Sequence, residues 1–515
     1  MNGARALLST LVDSGVDVCF ANPGTSEMHF VAALDDVPAM RGVLCLFEGV
    51  VTGAADGYGR VAGRPAATLL HLGPGLGNGL ANLHNARRAR TPVVNVVGDH
   101  ATYHGRYDAP LQSDIASIAG AVSGWYRSSA RSDDVAGDAA DAVAAALGPP
   151  GCVATLVLPA DSSWSESATG PCAPRPRGRQ SMVSAETVDE VAKALRSGER
   201  AALLMGGTSL RADGLHAASR VAVTTGAALL GETFPANLER GAGIPAVERL
   251  AYLAEMAQAQ LDGVRHLVLV DAKSPVSFFA YPDKVSDLVP AGCTVHTLAR
   301  PGEDAAGALE ALAEAVGAPA QGGRPAPSGR PGRPTGALSS ESLAAAVGAT
   351  LPEGTIVVDE GNTSGLFVPA ATAGAPRHDW LTLTGGAIGI GLPMATGAAV
   401  AAPERPVLCL QADGSAMYTL QALWTHAREG LNVTTVVLSN RSYAILNMEL
   451  HRVGADAGGP MARRLLDLTD PELDFCALAR GMGVPARRVE NGEDLATALE
   501  AGFAEPGPTL IEVPL

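Results

Sequence analysis

The most constraining feature of this chain is a repeated join between a short apolar run and a helical pattern. "VDVCFA" stops at Asn22-Pro23-Gly24, "VLCLF" at Glu48, "AATLLHL" at Gly73, "PVVNVVG" at Asp99, "VLCLQA" at Asp413 and "VTTVVLSN" at Asn440. Runs without polar alternation suit strands covered on both faces, and helices between them supply parallel crossovers. Since 515 residues exceed what one core can hold, the expected fold is α/β with three doubly wound parallel-sheet domains. Two Pro/Gly/Arg-rich stretches, 162–181 and 317–337, carry no apolar periodicity and read as linkers. They divide the chain into blocks 1–160, 183–316 and 338–515.

A formal net charge of −16 excludes nucleic acid or an anionic membrane as the main partner. It leaves a small anionic substrate open, because a local site can oppose the global sign. Seven cysteines lie scattered with no CxxC pair, so buried reduced thiols are expected rather than disulfides or zinc. "MNGARALLSTLVDSG" reads as an amphipathic helix too polar for a signal peptide, and no apolar stretch reaches membrane-spanning length. A soluble cytoplasmic protein is the expectation.

Two strand tips carry groups that chemistry uses. In "VLCLQADGSAMYTLQALWTHAREG" a strand meets Asp413-Gly414-Ser415, and Met417, Leu420, Leu423, Trp424 and Ala427 then fall on one helical face. The next strand ends at Asn440, and parallel neighbours place both tips at one sheet edge. A carboxylate and an amide oxygen there suit a hard divalent cation, while a glycine and a helix N-terminus suit a phosphate. A helix cap and a turn would explain either tip alone. Glu48 is the second case: it sits among Leu46, Phe47, Val50 and Val51. A carboxyl held there loses hydration, which suits a proton exchanged with a cofactor ring.

"ADGS" followed by "NRSYAIL" resembles the GDG…N motif of thiamine-diphosphate enzymes, with Ala412 where that motif usually has glycine. "FEGVVTGAADGYGR" is similar to the E-x-x-A-x-x-x-A-x-G-Y-x-R pattern of the same family. "DEGNTSG" (359–365) and "GGAIGIGLPMATGAA" (385–399) match further segments in order. The chain thus resembles the acetolactate synthase and benzoylformate decarboxylase group. The three blocks would then be the pyrimidine-binding (1–160), middle Rossmann-like (183–316) and diphosphate-binding (338–515) domains.

The resemblance implies thiamine diphosphate and Mg²⁺, the metal held by Asp413, Asn440 and the carbonyl of Ser442. Gly414, Ser415 and Tyr443 belong to the same cofactor-binding stretch. Asn362 and Thr363 would contact the diphosphate, Ile388 would lie beneath the two rings, and the Gly386 carbonyl would meet the 4′-amino group. Glu48 would hydrogen-bond the aminopyrimidine and promote the tautomer that removes the thiazolium C2 proton. The implied reaction is decarboxylation of a 2-oxo acid, followed by protonation or carboligation. Thr25 matches a substrate-contacting serine, His71 a proton-transferring histidine, and Gln112 in "DAPLQSD" an acetolactate synthase glutamine. The second histidine of benzoylformate decarboxylase has no counterpart in "SPVSFFAYPDK", which offers Phe278, Phe279 and Tyr281. His84, His100 and His104 show no metal-ligand spacing and read as surface or supporting groups. No FAD is expected, since the middle block has no stretch assignable to it. Glu48 and the metal site fall in different domains, which in the family meet across a homodimer or homotetramer interface.

Two alternatives remain at this point. "GPGLGNG" (73–79), with Asp99 ending the next strand, imitates a dinucleotide fingerprint and suggests an NAD-dependent dehydrogenase. A non-catalytic subunit with the thiamine-diphosphate fold is the other.

Overall fold

The computed structural model describes residues 1–455 and 459–515. Its strands form three sheets. The first contains β1 (Val18–Ala21), β2 (Arg41–Leu44), β3 (Ala66–Leu70), β4 (Val93–Asp99), β5 (Trp125–Ser128) and β6 (Val153–Pro159), in the order β2-β1-β3-β4-β6-β5. The second contains β7 (Ala201–Met205), β8 (Ala228–Gly231), β10 (Glu248–Arg249), β11 (His266–Val270) and β12 (Thr294–Ala299), in the order β10-β8-β7-β11-β12. The third runs β17-β18-β16-β15-β13-β14-β9, from β13 (Ile356–Glu360), β14 (His378–Thr382), β15 (Val407–Ala412), β16 (Val433–Ser439), β17 (Ala486–Arg488), β18 (Thr509–Pro514) and β9 (Leu238–Arg240). Central strands such as β3 and β16 are buried at every residue, as unalternating apolar runs require.

The pairings are parallel apart from one edge. β9 comes from within 183–316 yet pairs antiparallel with β14, Leu238 opposite Trp380. Leu238 is buried there, and Glu239 pairs with Arg211 and Arg377. The short strand covers an edge that would otherwise expose unpaired backbone. The stretch 317–337 is pinned down as well: Gly329 N–H donates to Gly374 at 2.9 Å, and Arg330 reaches the carbonyls of Ala349 and Leu351 at 2.7 and 2.8 Å. Similarly, 162–181 begins inside the helix Ala160–Trp164, and Arg175 pairs with Asp141 at 2.8 Å. Composition marked both stretches as lacking periodicity, but Arg175, Arg330 and Arg333 find fixed partners.

One apolar core runs from the first sheet into the third. Its centre is the crossing of helices Glu48–Ala62 and Gly391–Ala401. A Cβ on Gly57 would lie 2.2 Å from the Met394 carbonyl oxygen, and one on Gly397 would lie 1.9 Å from that of Ala54. Only glycine permits this approach, which fixes the N-terminal end of the Glu48 helix against the loop 385–390.

The second sheet reverses its order between β7 and β11, where an open α/β sheet usually takes a ligand. Here Arg90, from the first sheet's side, pairs with Asp271, which also accepts from Thr208 N–H at 2.9 Å. Glu232 lies beside them and accepts from Gly207 N–H at 3.2 Å. Burial pushes the Glu232 carboxyl up to about 7. Among the described residues no helix is long and apolar enough to cross a membrane.

Candidate active site

β15 and β16 are parallel neighbours with Ala412 opposite Leu438, so Asp413 and Asn440 emerge side by side. Asp413 is 3% exposed, and its Oδ1 and Oδ2 accept from the N–H groups of Gly414 and Arg441 at 2.7 and 2.6 Å. Burial raises its pKa, against the pull of those backbone donors. Asn440 Oδ1 accepts from Ser442 N–H at 3.0 Å, and its Nδ2 donates to Ser364 at 3.3 Å. From the tip of β13, Asn362 donates to Ser415 Oγ at 3.1 Å. Three strand tips therefore converge on one cluster of oxygens. Tyr443 closes it from above, since a Cβ on Gly414 would lie 2.5 Å from the ring. Thr363 and Gly386 are exposed, and Gly386 holds φ +73°, the left-handed region that favours glycine. Ile388 is half-buried against the shared core.

The loop carrying Gly386 and Ile388 is tethered by a residue absent from the sequence reading. Buried Glu360 accepts from the N–H groups of Gly389 and Gly391, both at 2.7 Å, and from Gln411 Nε2 at 2.9 Å. The available signal was an acid and a glutamine inside two apolar runs destined to pair. The helix after Asp413 also differs from expectation. It breaks into Asp413–Ala416 and Ala422–Glu429, leaving Met417 exposed while Leu420 and Leu423 are buried. In the break, Thr419 Oγ1 donates to the Gly389 carbonyl at 2.8 Å, so the interruption serves the same loop.

On the first sheet, Glu48 opens its helix, is 7% exposed and accepts from Asn78 Nδ2 at 3.0 Å. A Cβ on Gly75 would lie 3.2 Å from its Oε1, one on Gly73 2.0 Å from Ser113 Oγ, and one on Gly79 2.7 Å from Thr52. Gly73, Gly75 and Gly79 thus let the helix Leu72–Ala89 pack against its neighbours. The face that a dinucleotide pyrophosphate would need is taken by Ser113 and by a carboxylate, and this removes the dehydrogenase alternative.

His71 caps that helix, with Nδ1 2.9 Å from Glu27 Oε2 and 3.4 Å from Ser26 Oγ. Glu27, also missed from sequence, is 2% exposed and accepts from Gly24 N–H at 2.7 Å. Thr25 is exposed; the hydroxyl beside His71 belongs to Ser26. Gln112 lies next to Ser113, which abuts Gly73, and its Oε1 is enclosed without a hydrogen-bond partner.

Asparagines join the two halves. Asn82 Nδ2 donates to the Gly389 carbonyl at 3.4 Å as well as to the Gly49 carbonyl at 2.8 Å, and Asn85 donates to Ala387 at 2.8 Å while accepting from Gly385 N–H at 3.1 Å. His84 Nε2 lies 3.1 Å from the Gly385 carbonyl, a supporting contact. Among the described residues of one chain, no hydrogen bond links Glu48 to the Asp413–Asn440 cluster. From the middle sheet's side, Phe278 packs on Phe234 and Tyr252, with centroids 5.3 and 4.9 Å away. Tyr281 donates to Glu449 at 2.6 Å, on the helix Ala444–Arg452 that begins just after Tyr443.

Models of the thiamine pyrophosphate enzyme N-terminal and C-terminal TPP-binding domains match residues 1–119 and 359–513. This chain belongs to the thiamine pyrophosphate enzyme family. It is 64% identical over 516 residues to a Mycobacterium tuberculosis protein named "Putative acetolactate synthase large subunit IlvX", covering 100% of this chain and 99% of that one. It is 31% identical to the benzoylformate decarboxylase of Pseudomonas aeruginosa, covering 97% and 96%. The solved thiamine diphosphate-dependent 4-hydroxybenzoylformate decarboxylase of Rhodococcus jostii RHA1 shares the fold, with a TM-score of 0.87 at 24% identity over 100% and 99% of the two chains. The chain is thus a thiamine-diphosphate-dependent enzyme of the 2-oxo acid decarboxylase and acetolactate synthase type, not a dehydrogenase.

Proposed function

We propose that the enzyme decarboxylates a 2-oxo acid with thiamine diphosphate and Mg²⁺, then protonates the resulting carbanion or joins it to a second carbonyl. The observation that carries this reading is the buried Asp413 carboxyl, whose hydrogen bonds among the described residues come from backbone N–H groups and which lies beside Asn440 and Ser442. A carboxylate removed from water needs a cation, and carboxylate, amide and carbonyl oxygens form the donor set of a hard divalent ion. The residues therefore fit Mg²⁺ carrying a diphosphate, with Asn362, Thr363, Gly414, Ser415 and Tyr443 around it.

When bound, the cofactor supplies the nucleophilic carbon and the electron sink for CO₂ loss. Glu48, held in place by Asn78 and by the close approach of Gly75, would be the group to hold a proton toward the cofactor's aminopyrimidine. Ile388 and the Gly386 carbonyl would hold the cofactor's rings, on the loop that Glu360 and Asn85 fix. Glu27, 2.9 Å from His71 Nδ1, orients that ring for proton delivery to a substrate carbon. Thr25 and Gln112 face the 2-oxo acid.

Glu48 meets the metal site of a second copy in this reading, so the enzyme is a homodimer or homotetramer. Exposed apolar side chains flank both half-sites: Leu46 near Glu48, and Leu366, Phe367 and Leu465 near the oxygen cluster. The free cysteines suit a reducing cytoplasm. No flavin is part of the proposal, supported by the Arg90–Asp271 pair in the middle sheet's crevice. The test is to incubate holoenzyme with pyruvate, branched and aromatic 2-oxo acids, with and without aldehyde acceptors, and to follow CO₂ and product. Release of CO₂ from at least one acid supports the reading. None from any acid, by protein that binds thiamine diphosphate, refutes it.

A further inference from the structure

The end of the middle sheet away from Asp271 gathers two histidines and two carboxylates. β11 and β12 are parallel, with His266 opposite Thr294 and Val268 opposite His296, so both imidazoles leave the same face. β7 lies on the other side of β11 with Ala201 opposite His266, and Glu199 stands two residues before Ala201. The helix Ala185–Leu195 packs on β11 and β12 and brings Glu190 to the same place. His266 Nδ1 lies 3.1 Å from His296 Nε2, and His266 Nε2 lies 3.0 Å from Glu199 Oε2. His296 Nδ1 lies 3.8 Å from Glu190 Oε1. Both rings are largely covered, with 15% and 11% of their side chains exposed.

The three contacts in this row each need one proton. Two neutral imidazoles carry two, so one contact always sets a lone pair against a lone pair or against a carboxylate. A cation between the two inner nitrogens leaves both ring N–H groups for the carboxylates, and every contact is then satisfied. The carboxylates would act as the outer partners of a metal do, fixing the ring tautomer and raising the basicity of the ligating nitrogen. Two imidazoles bound tetrahedrally at roughly 2.0–2.1 Å place their nitrogens about 3.3 Å apart. The 3.1 Å between His266 and His296 is close to that spacing.

We infer that His266 and His296 form a site for a divalent metal ion of the kind that imidazole ligates. Zn²⁺, Ni²⁺ and Co²⁺ are of that kind, whereas Mg²⁺ prefers oxygen. Water can complete the coordination, since β12 is an edge strand of its sheet. Burial and the neighbouring His266 lower the His296 pKa against the pull of Glu190, which keeps that ring neutral and its lone pair free. Arg265, 4.0 Å from Glu199, is the other charged group beside the row. The ion would tie β7, β11, β12 and the helix Ala185–Leu195 together through these four side chains. The site shares no residue with the Asp413 cluster and does not depend on the reaction.

The test titrates Ni²⁺ into holoenzyme saturated with Mg²⁺ and thiamine diphosphate, followed by calorimetry. Wild type is compared with His266→Gln, His296→Gln and Glu199→Ala. Each histidine variant should lose at least tenfold in Ni²⁺ affinity, and Glu199→Ala about tenfold, as for an outer partner of a metal. Glu199 is half exposed, so its variant decides the matter if a histidine variant fails to fold. Asp474, Cys476 and Glu512 form another cluster that could take a metal, and Cys476→Ser separates the two. That variant should leave the affinity unchanged. Loss of binding in Cys476→Ser, with the histidine variants unaltered, overturns the inference. So does absence of Ni²⁺ binding by wild type, or an affinity within threefold of wild type in both histidine variants.

Discussion

Glu232→Gln gives the sharpest electrostatic prediction. Burial raises the Glu232 carboxyl from 4.5 to about 7 in the folded chain, with Asp271 adding to the rise and Arg90 and the Gly207 N–H opposing it. The folded state therefore holds this proton where the unfolded state has released it. Stability falls as pH climbs from about 4.5 through 7, because the folded state binds more protons across that window. The gap corresponds to about 3 kcal/mol at roughly 1.4 kcal/mol per pH unit. Glutamine keeps an acceptor for Gly207 N–H and carries no charge to desolvate. The variant should match wild type near pH 4.5 and be more stable above pH 7.5, by on the order of 5 °C in Tm. Thermal unfolding of both proteins from pH 4.5 to 8.5, followed by tryptophan fluorescence, reads the difference. A difference that does not change with pH, or that grows toward acid, refutes the reasoning.

Other outcomes follow from the site. Asp413→Ala should weaken Mg²⁺-dependent thiamine diphosphate binding by more than about 100-fold in calorimetry, since losing even outer partners of a metal costs 10–100-fold. Gly414→Ala drives a methyl into the Tyr443 ring, an overpacking of roughly 1–3 kcal/mol; cofactor affinity should drop at least tenfold, and Tyr443→Ala in the same chain should recover part of it. Tyr281→Phe removes the hydrogen bond to Glu449 and should speed amide exchange in residues 444–452 about tenfold, for a bond of ~1.5 kcal/mol to a charged group.

The parts of the molecule legible in its sequence are those where one residue type announces a local requirement. Unalternating apolar runs gave away parallel strands, and an acid or asparagine at two adjacent tips gave away the cluster of oxygens. What stayed hidden depends on contacts across the chain. Glu27 looked like one of many acids, and only folding sets it 2.9 Å from His71. Glu360 needed the pairing of β13 with β15 to meet Gln411. Leu238–Arg240 read as part of the middle block because nothing local tells a three-residue strand which sheet it will join. Gly73, Gly75 and Gly79 imitated a phosphate loop because close helix packing and phosphate binding demand the same missing Cβ.

Subunit complementation tests most directly whether one pocket is assembled from Glu48 of one copy and the Asp413 cluster of another. Glu48→Gln and Asp413→Ala chains should each be inactive alone. Co-expressed, they form mixed dimers in which one site carries both lesions and the other carries neither, so purified mixtures should show about a quarter of wild-type activity per chain, from the statistics of symmetric pairing. Activity indistinguishable from zero in mixed dimers shown to be folded and paired would contradict the account.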